Sequence, residues 1–313
     1  MKIPILAAAL AAVAGPALSQ APAAAPKAAT VQAPPAALAA APRPDADPAL
    51  WVLRDADTTI YLFGTFHLLD GRRDWFNDEV REAFDRSDEL VLEILLPDDP
   101  AEIQPVMMRY AAAEGGRTLA QRLPAALNAR LGEELGELGL PAAAFDRTDP
   151  WFPAMILTSL GAQRVGITGE HGAETVLKSA ARARGIPIGA VERLEDQLGA
   201  MDTMSEAGQI AQLEQTIAAV DRLAEAFAPM TEAWASGDAE RLYRMMNGQA
   251  EQAPELYRAI FLERNARWTG WIRERMARPG TVFMAVGAGH LAGRDSVQAM
   301  LARQGIRAAR VAR

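Results

Sequence analysis

The sequence predicts an α/β (α+β) fold, with a central mixed sheet built from N-terminal and C-terminal segments and a large helical insertion or cap. Two observations favour this class. Runs of β-branched, aromatic and aliphatic residues, typical of buried strands, lie near both ends of the chain, at 51–53, 59–63 and 281–286. Between them, residues from about 101 to 246 repeat Ala, Leu, Glu and Arg at helical spacing, with breaks at glycine and proline. The strands must therefore pair around a mostly helical middle.

The N-terminal residues are predicted to lie outside the folded domain. Residues 1–19 are typical of a secretory signal peptide, with a positive start, a short apolar stretch and small residues where signal peptidase cleaves. Residues 20–49 are mostly Ala and Pro, have no large side chains to bury, and predict a flexible linker. The apolar stretch is shorter than the roughly 20 residues that span a bilayer. We expect an exported, soluble protein, periplasmic in a double-membraned bacterium, with no transmembrane segment after signal removal.

The domain over residues 50–313 is predicted to open with a β-hairpin, because β-rich runs at 51–53 and 59–63 flank a short polar turn. A helix from Asn77 to about Arg86 follows, since Asn77 is a good N-cap and acids occupy the first turn. The nearly continuous apolar run 90–96 then predicts a buried strand that closes at Pro97.

The later elements complete the predicted sheet. A helix from Glu174 to Arg184 precedes a short strand at 186–191, and a long helix runs from Pro254 to Met276. The run 281–286 is the last strong buried strand. A helix at 295–304 and an edge strand at 306–311 end the chain as given.

Composition excludes several classes of function. The 313 residues carry 40 acidic against 32 basic side chains, a net charge of −8, so the basic surface of a nucleic-acid-binding protein is missing. Because the chain has no Cys, disulfides, thiolate metal ligands and a Cys nucleophile are excluded. The sequence also lacks a Gly-x-Ser-x-Gly elbow, a phosphate loop and a dinucleotide-binding motif.

Two of the three His residues follow buried strands in one shared motif, Gly-x-x-His-Leu. The motifs begin at Gly64 and Gly287 and place His67 and His290 just beyond a strand. Glycine permits a sharp turn or a close backbone approach there, and α/β proteins hold ligands at that end of the sheet. We expect both imidazoles at one sheet end; the alternative is two unrelated turn histidines.

Glu93 is the third unusual residue, because its neighbours from 90 to 96 are all aliphatic. A buried carboxylate is costly unless a cation, a metal or several donors hold it; the alternative is a strand face that reaches solvent. With His67 and His290, Glu93 forms a two-imidazole, one-carboxylate set. Such a set suits Zn, Mn, Co or Fe(II) and leaves positions for water.

Three further polar positions are weaker candidates. Arg264, followed by Asn265, is a candidate to bind a substrate carboxylate or an oxyanion, although a solvated helix charge is the alternative. Glu192 follows the short strand and reaches the same sheet end, unless it is simply an acid at a helix N-terminus. His171, in a polar loop, is at most a reserve ligand.

Together these motifs resemble the TraB/PrgY/GumN family over about residues 50–313. The resemblance rests on residues 61–69, 90–93, 263–265 and 286–293, with further similarity at 191–198 and 305–307. The family includes the animal Tiki proteins, which are metal-dependent proteases, and is related to erythromycin-esterase-like and ChaN-like proteins. One departure is that Thr168 follows Gly166-Ile167, where relatives often carry an acid; Glu170 is the candidate substitute.

The resemblance implies roles for individual residues. His67, Glu93 and His290 carry over as metal ligands, and Glu93 and Arg264 as catalytic residues. The supporting residues are Gly64, Gly287, Asn265 and Glu192. We predict an exported metal-dependent hydrolase that uses a divalent ion (Mn, Co, Zn or Fe) and acts on a peptide or protein. The alternatives are a non-catalytic periplasmic protein that binds peptide, haem or metal, and an envelope-assembly scaffold.

Overall fold

A computed structural model describes residues 43–250 and 254–312. The predicted signal peptide and the predicted linker up to residue 42 lie outside the described residues. The chain is packed before the predicted start at Leu50. Ala46 and Ala49 are buried, and the amide of Ala46 donates to the carbonyl of Asp74 at 2.9 Å. The small side chain of Ala46 belongs to the same apolar core as Trp75.

Six strands form one mixed sheet in the order β4-β3-β5-β2-β1-β6. The sheet joins segments from both ends of the chain, which confirms the predicted fold class. The parallel pairs are β2 with β5, β5 with β3, and β3 with β4, while β1 runs antiparallel to β2 and β6. The strands are β1 Leu50–Arg54, β2 Thr58–Thr65, β3 Glu89–Leu92, β4 Ile188–Ala190, β5 Gly280–Gly287 and β6 Ala309–Arg310.

Helices cover both faces of the sheet and fill the middle of the chain, as predicted. The predicted helix 254–276 is interrupted by the π-helical turn Arg258–Leu262, which joins the helices Pro254–Tyr257 and Glu263–Met276. None of the described helices is long and apolar enough to cross a membrane. The helices are α1 Asp78–Asp85, α2 Pro100–Ala111, α3 Leu119–Arg122, α4 Ala125–Glu137, α5 Trp151–Arg164, α6 Ala173–Arg184, α7 Leu194–Asp202, α8 Glu206–Ala219, α9 Leu223–Ala235, α10 Ala239–Ala250, α11 Pro254–Tyr257, α12 Glu263–Met276 and α13 Val297–Arg303.

The predicted strand 90–96 is too long at its C-terminal end. β3 stops at Leu92, so Glu93 lies just past the strand rather than inside it. Ile94 and Leu96 are apolar because they pack against the core of the helical insertion, and not because they extend the sheet. The side chain of Leu95 points away from that core and is 44% exposed.

The two outer strands are also shorter than predicted. β4 spans Ile188–Ala190 instead of 186–191, because Pro187 has no amide to donate to the ladder. β6 spans Ala309–Arg310 instead of 306–311, since only these two exposed residues pair with β1. Both strands lie at sheet edges, where pairing ends on one side.

Three apolar clusters hold the molecule together. One covers the face of the sheet that includes Phe63, and a second covers the other face and includes Trp268. The third lies within the helical insertion around Trp151. The insertion therefore has its own core, and the carboxyl ends of β2, β3 and β5 meet at one edge of the sheet.

Candidate active site

The two Gly-x-x-His motifs lie side by side at the carboxyl edge of the sheet. Thr65, the last residue of β2, pairs with Gly287, the last residue of β5. His67 lies two residues past the end of β2, and His290 lies in the short 3-10 turn Ala288–Leu291 after β5. A Cβ on Gly287 would lie 3.0 Å from Glu93 Oε1 and 3.5 Å from the Nε2 atom of His67.

Gly64 allows the same close packing one strand away. A Cβ on Gly64 would lie 3.1 Å from both Cα and Cβ of Ala288. Its carbonyl accepts a hydrogen bond from the indole of Trp234 at 2.7 Å. The glycine therefore lets the turn after β5 rest directly on β2.

The Glu93 carboxylate is buried, and both of its oxygens accept hydrogen bonds. Its Oε1 accepts from the amide of Gly287 at 2.6 Å, and its Oε2 accepts from Arg264 at 2.8 Å and from Gln197 at 3.2 Å. Burial alone would raise the pKa of this carboxyl, but the guanidinium of Arg264 and the amide of Gly287 hold the pKa well below its usual range. Glu93 is therefore a buried carboxylate held by donors and a cation.

Arg264 is the cation at the centre of the cluster, and it is buried. Its Nε donates to Glu192 and its Nη2 to Glu93, each at 2.8 Å. Its Nη1 lies 3.2 Å from Nε2 of His290, and its guanidinium stacks 4.8 Å from the ring centre of Trp268. Burial would lower the pKa of Arg264, but the two carboxylates outweigh it and raise that pKa further.

His290 is held as a neutral imidazole. The Asn265 amide nitrogen donates to the carbonyl of Asp295, so its Oδ1 must accept, and it accepts from Nδ1 of His290 at 2.6 Å. The Nε2 atom then carries the lone pair and accepts from Arg264. Burial and the charge of Arg264 lower the pKa of His290 to about 3.

The pKa of His67, unlike that of His290, is raised, so His67 favours the imidazolium form. Its Nδ1 lies 2.7 Å from Oε1 of Glu174, an ion-pair contact with a carboxylate near the start of α6. Burial would lower the pKa of His67, but the charges of Glu174 and Glu93 outweigh burial and raise it to about 9. The other ring nitrogen, Nε2, is the one near Gly287.

Four residues of the site were not predicted from the sequence. Glu174 pairs with His67, and Gln197 bridges Glu93 and Glu192 at 3.2 and 3.4 Å. Thr65 is buried, and among the described residues its hydroxyl has no hydrogen-bond partner. The residues not predicted are Thr65, Gly172, Glu174 and Gln197. Thr65 lies inside the first Gly-x-x-His motif, and Gln197 lies in the segment 191–198 that resembles the family. Gly172 and Glu174 had no such signal.

Gly172 matters through its closeness to the backbone of His67. A Cβ at this position would lie 2.2 Å from the carbonyl oxygen of His67, a distance that no side chain tolerates. Gly172 therefore lets α6 begin against the histidine it holds.

The reserve candidates lie apart from the cluster. His171 is exposed, and its ring would contact a Cβ on Gly71 at 2.8 Å. Glu170 is also exposed. Thr168, at the position where relatives often carry an acid, pairs its backbone with Leu69 outside the cluster.

A small cavity opens beside the cluster. Its volume is about 50 Å³, and its walls are largely apolar side chains together with His67, Arg264 and His290. The backbone of Gly287 and the buried Thr65 also line it. The cavity therefore brings the exposed part of His67 next to the cation and the neutral imidazole.

The side chains as they stand do not fit a metal ion held by His67, Glu93 and His290. Glu93 Oε1 and His290 Nε2 are 3.9 Å apart, but among the described residues His67 belongs to no group of three or more acids and imidazoles whose ligand atoms all lie within 4.8 Å of one another. Arg264 also donates to the carboxylate and the imidazole nitrogen that a metal would use. A metal ion would therefore have to displace the positive guanidinium from both groups.

Residues 49–310 of this chain match the TraB/PrgY/gumN family. The chain belongs to this family. The match confirms the resemblance found in the motifs, and it covers the sheet, the helical insertion and every residue of the cluster.

Two relatives of this TraB/PrgY/gumN protein are similar over part of their length. The chain is 27% identical over 165 residues to the uncharacterized protein YbaP of Escherichia coli (strain K12), and equally to the protein of that name from Shigella flexneri. The alignment covers 53% of this chain and 61% of each relative, so the chain spans less than two thirds of their length. No solved structure matches the chain.

Proposed function

We propose that this TraB/PrgY/gumN protein is a hydrolase whose catalytic centre is His67 and whose substrate is a peptide or protein. One observation carries the proposal. The Nδ1 edge of His67 lies in an ion-pair contact with Glu174 at 2.7 Å, while its Nε2 edge lies beside Gly287, at a cavity that Arg264 and His290 also line. A carboxylate-held imidazole next to a buried cation is suited to attack by water on a carbonyl group.

In this proposal His67 moves the protons. The neutral imidazole accepts a proton from water through Nε2, and the imidazolium then returns it to the leaving amine. Glu174 orients the ring and stabilises the imidazolium that forms. Because the pKa of His67 is about 9, the base form grows as pH rises towards that value.

Arg264 supplies the positive charge for the oxyanion. An arginine has five N–H groups, and four of them meet acceptors within the fold, on Glu192, Glu93, His290 and Ile260. The fifth, on Nη2, is free among the described residues to donate to an oxygen that gains charge. Glu93 has a strongly lowered pKa, so its role here is to position Arg264 rather than to accept a proton.

A metal-dependent form of the same hydrolysis is the second candidate. The observation in its favour is that Glu93 Oε1 and His290 Nε2 already lie 3.9 Å apart, with His67 on the same cavity. Binding Mn, Co, Zn or Fe there requires Arg264 to release both groups. Metal content by mass spectrometry tests it: near-stoichiometric metal in the full chain, lost in the His67→Ala/His290→Ala variant, supports this form. No metal in either protein after reconstitution rejects it.

The decisive experiment is a cleavage screen of the purified full chain against internally quenched peptides. We expect turnover that His67→Ala lowers by at least about 100-fold, the lower range for general acid–base catalysis. The exposed His171→Ala variant is the matched control and should cleave like wild type. Activity retained in His67→Ala would reject the proposal.

Export is a second part of the proposal, and a non-catalytic binding role is its rival. Export to the periplasm, with removal of residues 1–19, is tested by N-terminal sequencing of protein recovered from the periplasm. A non-catalytic role in binding peptide, haem or metal is the outcome indicated if no peptide is cleaved while haemin gives a bound absorption band.

A further inference from the structure

The cavity beside His67 has a wall made of apolar side chains. Phe227 and Met246 come from α9 and α10 of the helical insertion, and Ile260 and Phe261 come from the π-helical turn that leads to Arg264. Phe66 and Leu68 flank His67 on the sheet side. A group that enters this space therefore meets hydrocarbon on most sides.

The size of the cavity limits what it can hold. A dry, apolar cavity of about 150 Å³ accepts a benzene ring. This cavity measures about 50 Å³, so it suits one or two methyl groups and excludes an aromatic ring. Small aliphatic groups match both its chemistry and its volume.

One polar group in the cavity wall is unused. The hydroxyl of Thr65 is buried, and no hydrogen-bond partner for it exists among the described residues. Buried polar groups are nearly always hydrogen-bonded, so this hydroxyl has an unused hydrogen-bonding capacity at the cavity that Thr65 lines. Thr65 precedes His67 by two positions and pairs with Gly287 across the sheet.

We propose that this cavity is the specificity pocket of the enzyme, which accepts a small aliphatic side chain, of the size of Ala or Val, next to the bond that is cleaved. Thr65 is then a positioning residue whose hydroxyl bonds to a polar atom of the adjoining peptide group. The insertion supplies the wall that sets the size, chiefly through Met246, which is only partly buried and can be shortened safely. This inference rests on the proposed hydrolase function.

The test measures binding, so that it does not require turnover. N-acetyl-X-N-methylamides with X as Ala, Val, Leu, Phe or Asp are titrated by NMR into the full chain carrying His67→Gln, which removes the base but keeps a side chain of similar size in the cavity wall. We expect Ala and Val to bind about tenfold more tightly than Phe or Asp, the scale of discrimination that a hydrophobic pocket achieves. Met246→Ala should shift the preference towards Leu and Phe.

Matched variants separate the pocket from general effects. Met245→Ala removes the neighbouring methionine, which packs on the same core but does not line the cavity, and it should leave the preference unchanged. Thr65→Val should weaken binding of every probe, and Thr65→Ser should restore it. A peptide screen of the wild-type chain then reports kcat/KM for the same side chains.

The outcomes distinguish this inference from the proposed function. Size-dependent binding without any cleavage supports the pocket and rejects the hydrolase. Cleavage with equal tolerance of Ala and Phe, or a preference that Met246→Ala does not move, overturns the pocket and leaves the hydrolase. No binding of any probe also overturns the pocket.

Discussion

Arg264 and its partners form a buried charge cluster that is stable only when complete. Glu93 and Glu192 are buried carboxylates, and each accepts from Arg264 at 2.8 Å. Removing one partner of a buried pair leaves a bare charge in low dielectric and costs about 3–5 kcal/mol. Arg267 also contacts Glu192, but its side chain is 51% exposed and screened by water. Arg264 therefore orders this end of the sheet besides supplying charge.

The three histidines allow a direct measurement of the site electrostatics. We expect NMR titration to find a pKa of about 9 for His67 and of about 3 for His290. Glu174→Gln removes the charge that opposes desolvation, so the pKa of His67 should fall well below 9. If neutral His67 is the base, the rise of turnover with pH moves to lower pH in the same variant.

Glu170→Gln is the control for that titration, because Glu170 is an exposed acid close to Glu174 in sequence. It should leave the titration of His67 as it is in wild type. An unchanged pKa of His67 in Glu174→Gln would show that the ion pair does not set its charge.

The sequence predicted the residues that are unusual in their local setting. His67, His290 and Glu93 stand out beside glycines or among aliphatic residues, and the structure brings them together. Glu174 and Gln197 look like ordinary helix residues. Their contacts reach across more than a hundred positions or join separate elements, so no local pattern reveals them.

At the scale of elements, the helical segment that leads into Arg264 contains a π turn that its sequence pattern does not predict. The amide of Glu263 donates to the carbonyl of Arg258, five residues back, which widens the helix into a π turn. The carbonyl of Ile260 within that turn accepts from the guanidinium of Arg264 at 3.3 Å. Because π and α turns share one composition, periodicity finds the helix and misses the turn.

Two glycines predict opposite effects on stability. Gly172→Ala places a Cβ 2.2 Å from the carbonyl of His67, so α6 must move and the variant should lose about 1–3 kcal/mol, as overpacking does. Gly270→Ala lies inside α12 with open space around it, and should gain up to about 1 kcal/mol. Urea unfolding monitored by circular dichroism gives both free energies. A Gly172→Ala protein as stable as wild type would contradict the close approach of this position to the carbonyl oxygen of His67.

At the scale of the whole molecule, the cluster lies where two cores meet. The ring of His290 packs 4.9 Å from Phe261, which belongs to the core of the insertion, and 4.4 Å from Trp268, which belongs to the core under the sheet. Ligand sites often form at such junctions. Charge states at this junction therefore affect how the insertion is held on the sheet.

The pH dependence of folding follows from those charge states. Between pH 6.5 and about 9 the folded chain keeps a proton on His67 that the unfolded chain has lost, so the free energy of unfolding falls as pH rises. Between pH 6.5 and about 3 the unfolded chain holds a proton on His290 that the folded chain excludes, so the free energy of unfolding falls as pH falls. Folding also lowers the pKa of Glu93, which makes the loss of unfolding free energy at low pH steeper.

We therefore expect stability to peak near pH 6.5, with a loss on each side on the order of 3 kcal/mol per histidine. Urea unfolding of the full chain from pH 4 to pH 9 measures this profile. His67→Ala should flatten the alkaline side and leave the acid side, because it removes only the group whose pKa folding raises. His171→Ala is the control, since His171 is exposed and lies outside the cluster. A wild-type stability that keeps rising from pH 7 to pH 9 would mean that His67 is not held as a cation by Glu174.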